Sequence, residues 1–131
     1  MPNVSVDDLS AAIVAELSSY NEKVTDGIKS AVEQVAKEVN DEIKSHILFI
    51  QRTGKYVKAF RVKRTFENKY NRKCTWHVAE PYYRLTHLLE YGHATRNGGR
   101  TKAYPHIKYG EELAIRRITE LSKEAIESAG N

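Results

Sequence analysis

The stretch AFRVKRTFENKYNRKCTWHVAEP, residues 59–81, is where the chain changes its hydrophobic period. Phe60, Val62 and Phe66 fall on one side of a two-residue alternation, with Arg61, Lys63 and Thr65 opposite. Cys74, Trp76 and Val78 alternate with Thr75, His77 and Ala79. A period of two is that of a strand, because successive side chains point to opposite faces. The polar ENKYNR between the two runs reads as a hairpin loop, and Pro81, which has no N–H to give to a ladder, ends the second strand. The apolar side is expected to pack on helices and the basic side to face solvent or a partner. Two strands alone make a marginal sheet. Either a third strand hidden in the loops or a neighbouring subunit is therefore expected to complete it.

Both flanks are helical in pattern. Ser5, followed by Asp7 and Asp8, suits a helix start, since a serine oxygen can accept from an early N–H and acids favour the positive end of the helix dipole. Val6, Leu9, Ile13, Leu17 and Tyr20 then recur at steps of three and four. Asn21 to Gly27 is weaker helix material and reads as a kink or short break. A second helix is expected from about Thr25 to Gln51, on Ile28, Val32, Val35, Val39, Ile43 and Ile47. Its end, Ile47 to Ile50, is apolar on several sides, and Gly54 is the expected stop.

Beyond the hairpin, Tyr82, Leu85, Leu88 and Leu89 return to helical spacing, and Gly92 ends that short helix. Residues 93–104 have no periodicity and read as a mobile loop. Pro105 suits the first turn of a last helix whose stripe is Ile107, Ala114, Ile118, Leu121 and Ala125. The fold class that follows is α+β: N-terminal helices and a long C-terminal helix on a small antiparallel sheet, in a single domain spanning 1–131.

Length and charge bound the function. One core fits 131 residues. No apolar run approaches the roughly 20 residues that cross a membrane, and no signal peptide is expected in MPNVSVDDLS. The lone Cys74 excludes an intrachain disulfide and points to synthesis in a reducing cytoplasm. The net charge of +4 is unevenly placed: residues 51–73 hold nine Lys or Arg and one acid, while the rest of the chain is mildly acidic. A partner can read such segregation.

The chemistry-bearing residues give no recognisable catalytic pattern. His87, Glu90 and His93 are three apart, but six helical residues turn His93 by roughly 120° from His87, and Gly92 intervenes. His77, His87 and His106 could meet only through the fold, and ordinary half-buried histidines are the plainer reading. Cys74 reads as a small buried hydrophobe rather than a nucleophile. Gly98-Gly99 lacks the preceding strand of a phosphate loop. Glu80 and Glu90 have no sign of a cleft between them. No enzyme, metal or cofactor is expected. Nucleic-acid contact is the physical alternative: a small basic DNA-binding protein acting through residues 51–73, whose cations are interleaved with Tyr56, Phe60, Phe66 and Tyr70. Simple alternation of core aromatics with solvated lysines gives the same pattern.

Three short elements in order resemble the small head–tail joining proteins of long-tailed bacteriophages, known as neck, tail-completion or minor tail proteins. They are Thr53-Gly54-x-Tyr56 leading to Ala59-Phe60, then Leu89-Glu90-Tyr91-Gly92, then Pro105-His106-Ile107. The resemblance runs from about Lys29 to Ala125, leaving residues 1–22 outside it. It departs from the family's pattern at Phe49-Ile50-Gln51 and at Tyr109-Gly110, where prolines are usual. It implies a virion protein without catalytic residues, assembled in the host cytoplasm, that forms a ring, commonly a hexamer, between the head connector and the tail tube or tail terminator. Thr53, Gly54, Glu90, Tyr91, Gly92 and Pro105 are then structural. Lys58, Arg61, Lys63 and Arg64 are expected on a lumen-facing or subunit-facing surface, in transient contact with channel DNA. His93, Arg96, Asn97, Gly98, Gly99, Arg100 and Lys102 are expected in a loop that meets the adjacent ring.

Overall fold

The computed structural model describes residues 6–49 and 53–130. Ser5 as a helix cap, and Ile50 and Gln51 as a helix end, lie outside the described residues. The elements are α1 (Val6–Ser45), α2 (Lys55–Lys58), β1 (Phe60–Glu67), β2 (Arg72–Val78), α3 (Tyr83–Tyr91) and α4 (Ile107–Ala129). This is the expected α+β class. The expected break in the first helix is absent: α1 is one helix of 40 residues. Gly27 explains why. A Cβ there would lie 2.7 Å from the Ala125 Cβ, so the glycine admits α4 against α1 rather than ending the helix.

α4 crosses α1 in the opposite direction. Its other close approach is Gly110, where a Cβ would stand 2.6 Å from Ile43 Cγ1. Glu38 and Arg117 bridge the pair midway, at 2.9 Å. α1 ends at Ser45 rather than near residue 51. The chain then turns Phe49 inward against Tyr56, Tyr104 and His106, while Leu48 is left in solvent. Gly54 does not stop a helix. Its φ of 69° opens the single-turn α2, and its carbonyl accepts from Lys58 N–H.

β1 and β2 pair antiparallel as a two-stranded sheet, and no third strand joins them among the described residues. Phe60 opposes Val78, Val62 opposes Trp76 and Arg64 opposes Cys74. The register then slips, so that Phe66 opposes Lys73 and Glu67 opposes Arg72. This bulge overturns the expected placing of Phe66. An extra residue reverses the alternation beyond it, so Phe66 leaves the face of Phe60 and Val62 and stands half exposed. Glu67 comes round to the α1 side in its place, opposite Arg72, which plain alternation along β2 already puts there. The core lies between α1, α2 and the near end of the hairpin: Ile43, Tyr56, Ala59, Phe60 and Val78, ringed by Val39, Phe49, Trp76 and Leu89. Trp76 keeps its indole N–H satisfied on Asn40 Oδ1 at 3.0 Å.

Candidate functional site

The three short sequence elements meet in space. Thr53 Oγ1 accepts from Lys55 N–H at the turn that starts α2, and α2 directs Tyr56 into the core. Tyr56 Oη lies 2.8 Å from His106 Nε2. His106 Nδ1 lies 2.7 Å from the Tyr104 carbonyl, which can only accept, so Nδ1 carries a proton. In the neutral ring, Nε2 then accepts from the Tyr56 hydroxyl. Glu90, from the last turn of α3, sits beside the ring with Oε1 3.1 Å from Nδ1.

Glu90 closes the start of α4. Its Oε1 accepts from the backbone N–H groups of His106 and Ile107 at 2.8 and 2.9 Å, and its Oε2 from Lys108 N–H at 3.2 Å. The first N–H groups of any helix lack intrahelical partners. No residue at the start of α4 caps it with its own side chain, and a carboxylate from 16 residues earlier does so instead. Burial pushes the Glu90 carboxyl up, but the three N–H groups and the His106 ring outweigh it and hold it below the usual value. Tyr56 is shifted upward, by burial first and by Glu90 as well, against the hydrogen bond with Thr86. His106 is fully enclosed and Glu90 nearly so. Both oxygens of Glu90 and both nitrogens of His106 have protein partners, so this acid–histidine–tyrosine cluster is a structural clasp.

Gly92 completes it. Its φ is 71°, and a Cβ there would lie 2.5 Å from the Thr101 carbonyl oxygen, so side chains are excluded both by conformation and by space. Tyr91 stays exposed, its ring centroid 4.9 Å from that of His87. Pro105 is exposed just ahead of the helix rather than within its first turn.

The segment read as an unstructured loop is a narrow hairpin. Ala94 bridges Arg100, His93 and Thr101 exchange backbone and side-chain hydrogen bonds, and a turn from Thr95 to Gly99 closes the tip. Gly98 supplies the positive φ there. The segment looked aperiodic because threonine hydroxyls and glycines, not apolar alternation, close it. His93, Arg96, Asn97, Gly98, Gly99, Arg100 and Lys102 are all exposed.

The basic surface is smaller than the sequence implied. Arg64 lies on the α1 side of the sheet, paired with Glu33 and Glu67; Arg72 pairs with the same two acids, and Lys29 with Glu67. Arg64 holds Glu33, and Arg72 holds Glu67, below the usual carboxylate range. Arg61 donates to the carbonyls of Lys58 and Phe60, capping the end of α2. Lys58, Lys63 and Lys73 stand exposed. Of the interleaved aromatics, Tyr56 and Phe60 are core residues, while Phe66 and Tyr70 are exposed. Among the described residues no three His, Cys, Asp or Glu side chains gather to hold a metal ion. His77 lies on the outer sheet face, Glu80 is exposed, and His106 is sealed inside.

A long helix, a two-stranded hairpin and a C-terminal helix clasped by Tyr56, Glu90 and His106 make up the chain. Residues 11–92 match the family model described as "Bacteriophage HK97-gp10, putative tail-component". That is more than half of the chain, and the chain belongs to this family of phage tail components. The match takes in residues 11–22, ahead of the three sequence elements, and stops at Gly92, short of α4. No curated protein and no solved structure matches the chain. Among the described residues, no helix is long and apolar enough to cross a membrane.

Proposed function

We propose that this tail-component chain is a ring-forming structural subunit of the virion, placed at the head–tail junction, where it joins the connector to the tail tube. The observation that supports this reading is an architecture left unfinished within one chain. The hairpin has no third strand among the described residues, and the apolar stripe of α1 continues into solvent beyond α4. Surfaces of this kind are covered by neighbouring subunits in cyclic assemblies. In such a ring the outer sheet face, with Lys58, Lys63 and Lys73, lines either the DNA channel or a subunit boundary. The exposed 93–104 hairpin meets the adjacent ring. The purified chain, alone or mixed with the connector and tail proteins of its phage, is expected to form closed rings visible by electron microscopy. A chain that remains monomeric in both settings overturns the reading.

A further inference from the structure

The apolar stripe of α1 outruns its own partners. Ala31, Val35 and Ile43 are buried. The end of α4 lies beside Leu17 and Tyr20, with Ala129 and Gly130 in one shallow cleft with them. The tip of the β-hairpin, through Lys69 and Tyr70, reaches Asn21 and Thr25. Upstream, the stripe continues at the same spacing through Leu17, Ile13 and Leu9, with Val14 beside it, and all four are more than half exposed. At 1.5 Å per residue, the helix ahead of Leu17 projects about 16 Å.

The molecule also carries a receptor of matching chemistry. An apolar groove of about 430 Å³ runs between α1, β2 and α4, lined by Val32, Ala36, Cys74, Trp76, Ile115 and Ile118. Among the described residues, Lys73 gives its border a free positive charge, beside Arg72, which is paired with Glu33 and Glu67. The first 22 residues contain four acids, Asp7, Asp8, Glu16 and Glu22, and no Lys or Arg. An acidic amphipathic helix and a basic-rimmed apolar groove complement each other in polarity and sign. They cannot meet within one chain, because Ile13 and Val32 lie on one unbroken helix, about 28 Å apart along its axis.

We propose that the acidic N-terminal stretch of α1, residues 8–20, docks in the α1–β2–α4 groove of a second copy of this chain. The proposal rests on the ring reading above and supplies its subunit contact. Because the two copies use different surfaces, the contact is head-to-tail, and it closes into a ring when the rotation per copy divides a full turn.

Cys74, the single cysteine, lies in the groove and serves as the probe. Full-length Ile13→Cys protein, treated with a mild oxidant, is expected to form disulfide-linked multimers. Mass spectrometry should find a peptide joining position 13 of one chain to Cys74 of another, and Ile13→Cys combined with Cys74→Ser should lose that peptide. Ile13→Glu alters an exposed helix position, so it should keep its circular dichroism spectrum while associating at least tenfold more weakly in sedimentation. Rings that form without the 13–74 linkage, or that Ile13→Glu leaves unchanged, overturn the docking and leave the ring reading standing. Linkage of position 13 only to a different phage protein in assembled particles overturns the second copy as occupant. A chain that is monomeric at every concentration, and with its phage partners, overturns both.

Discussion

Glu90 acts far from its neighbours in sequence. In the fold it replaces the N-cap that α4 lacks. Removing it leaves buried N–H donors without an acceptor. Glu90→Ala is therefore expected to lower unfolding free energy by about 1–3 kcal/mol, and Glu90→Gln by less, in urea titrations at neutral pH. The pH dependence has a definite sign. The folded carboxyl titrates below its ordinary value of 4.5, so its stabilisation is complete above that value and fades as pH falls through the folded one. The gap between the native chain and Glu90→Gln should narrow in acid, and a gap that widens instead would contradict this assignment. At this scale the sequence exposed the parts without their joints. Tyr56, Glu90 and His106 each sit in a short recognisable element, but Tyr56 and His106 are 50 residues apart, and no local pattern reports that they bond.

At the scale of elements, the helix pair is set by two glycines that act through space. Gly110→Ala would push a methyl group into Ile43. Over-packing of that kind costs about 1–3 kcal/mol. Adding Ile43→Ala to Gly110→Ala should return part of the loss, a coupling that a double-mutant cycle measures; simple additivity would place the strain elsewhere. By its letter alone Gly27 marks a weak point in the helix, because glycine disfavours helices. The contact with Ala125 that outweighs this preference comes from 98 residues away. The hairpin, by contrast, was legible, since its period of two is a local property. Its bulge was not. Nothing in the letters KRTFE marks Thr65 and Phe66 as two residues facing one, and that single slip reassigns Phe66 and Glu67.

At the scale of the whole molecule, charge is partitioned more finely than by segment. The positive excess of residues 51–73 is partly spent against α1, in the Glu33–Arg64–Glu67–Arg72 network, so the outward field rests on the lysines. Lys58→Glu combined with Lys63→Glu alters only exposed side chains. It should leave unfolding free energy within about 0.5 kcal/mol of the native chain while reducing incorporation into particles, scored by the amount of chain recovered in purified virions. Normal incorporation would mean that this face is merely solvated.

The anchoring of the 93–104 hairpin has a practical corollary. Tyr104 N–H is held by the Leu89 carbonyl, Thr101 N–H by His93, and the following helix by Glu90, so both stems are fixed independently of what lies between them. Lengthening a closed loop adds only about 0.6 kcal/mol per doubling. A tag or affinity peptide spliced between Gly98 and Gly99 should therefore leave the scaffold folded while blocking the contact proposed for this tip.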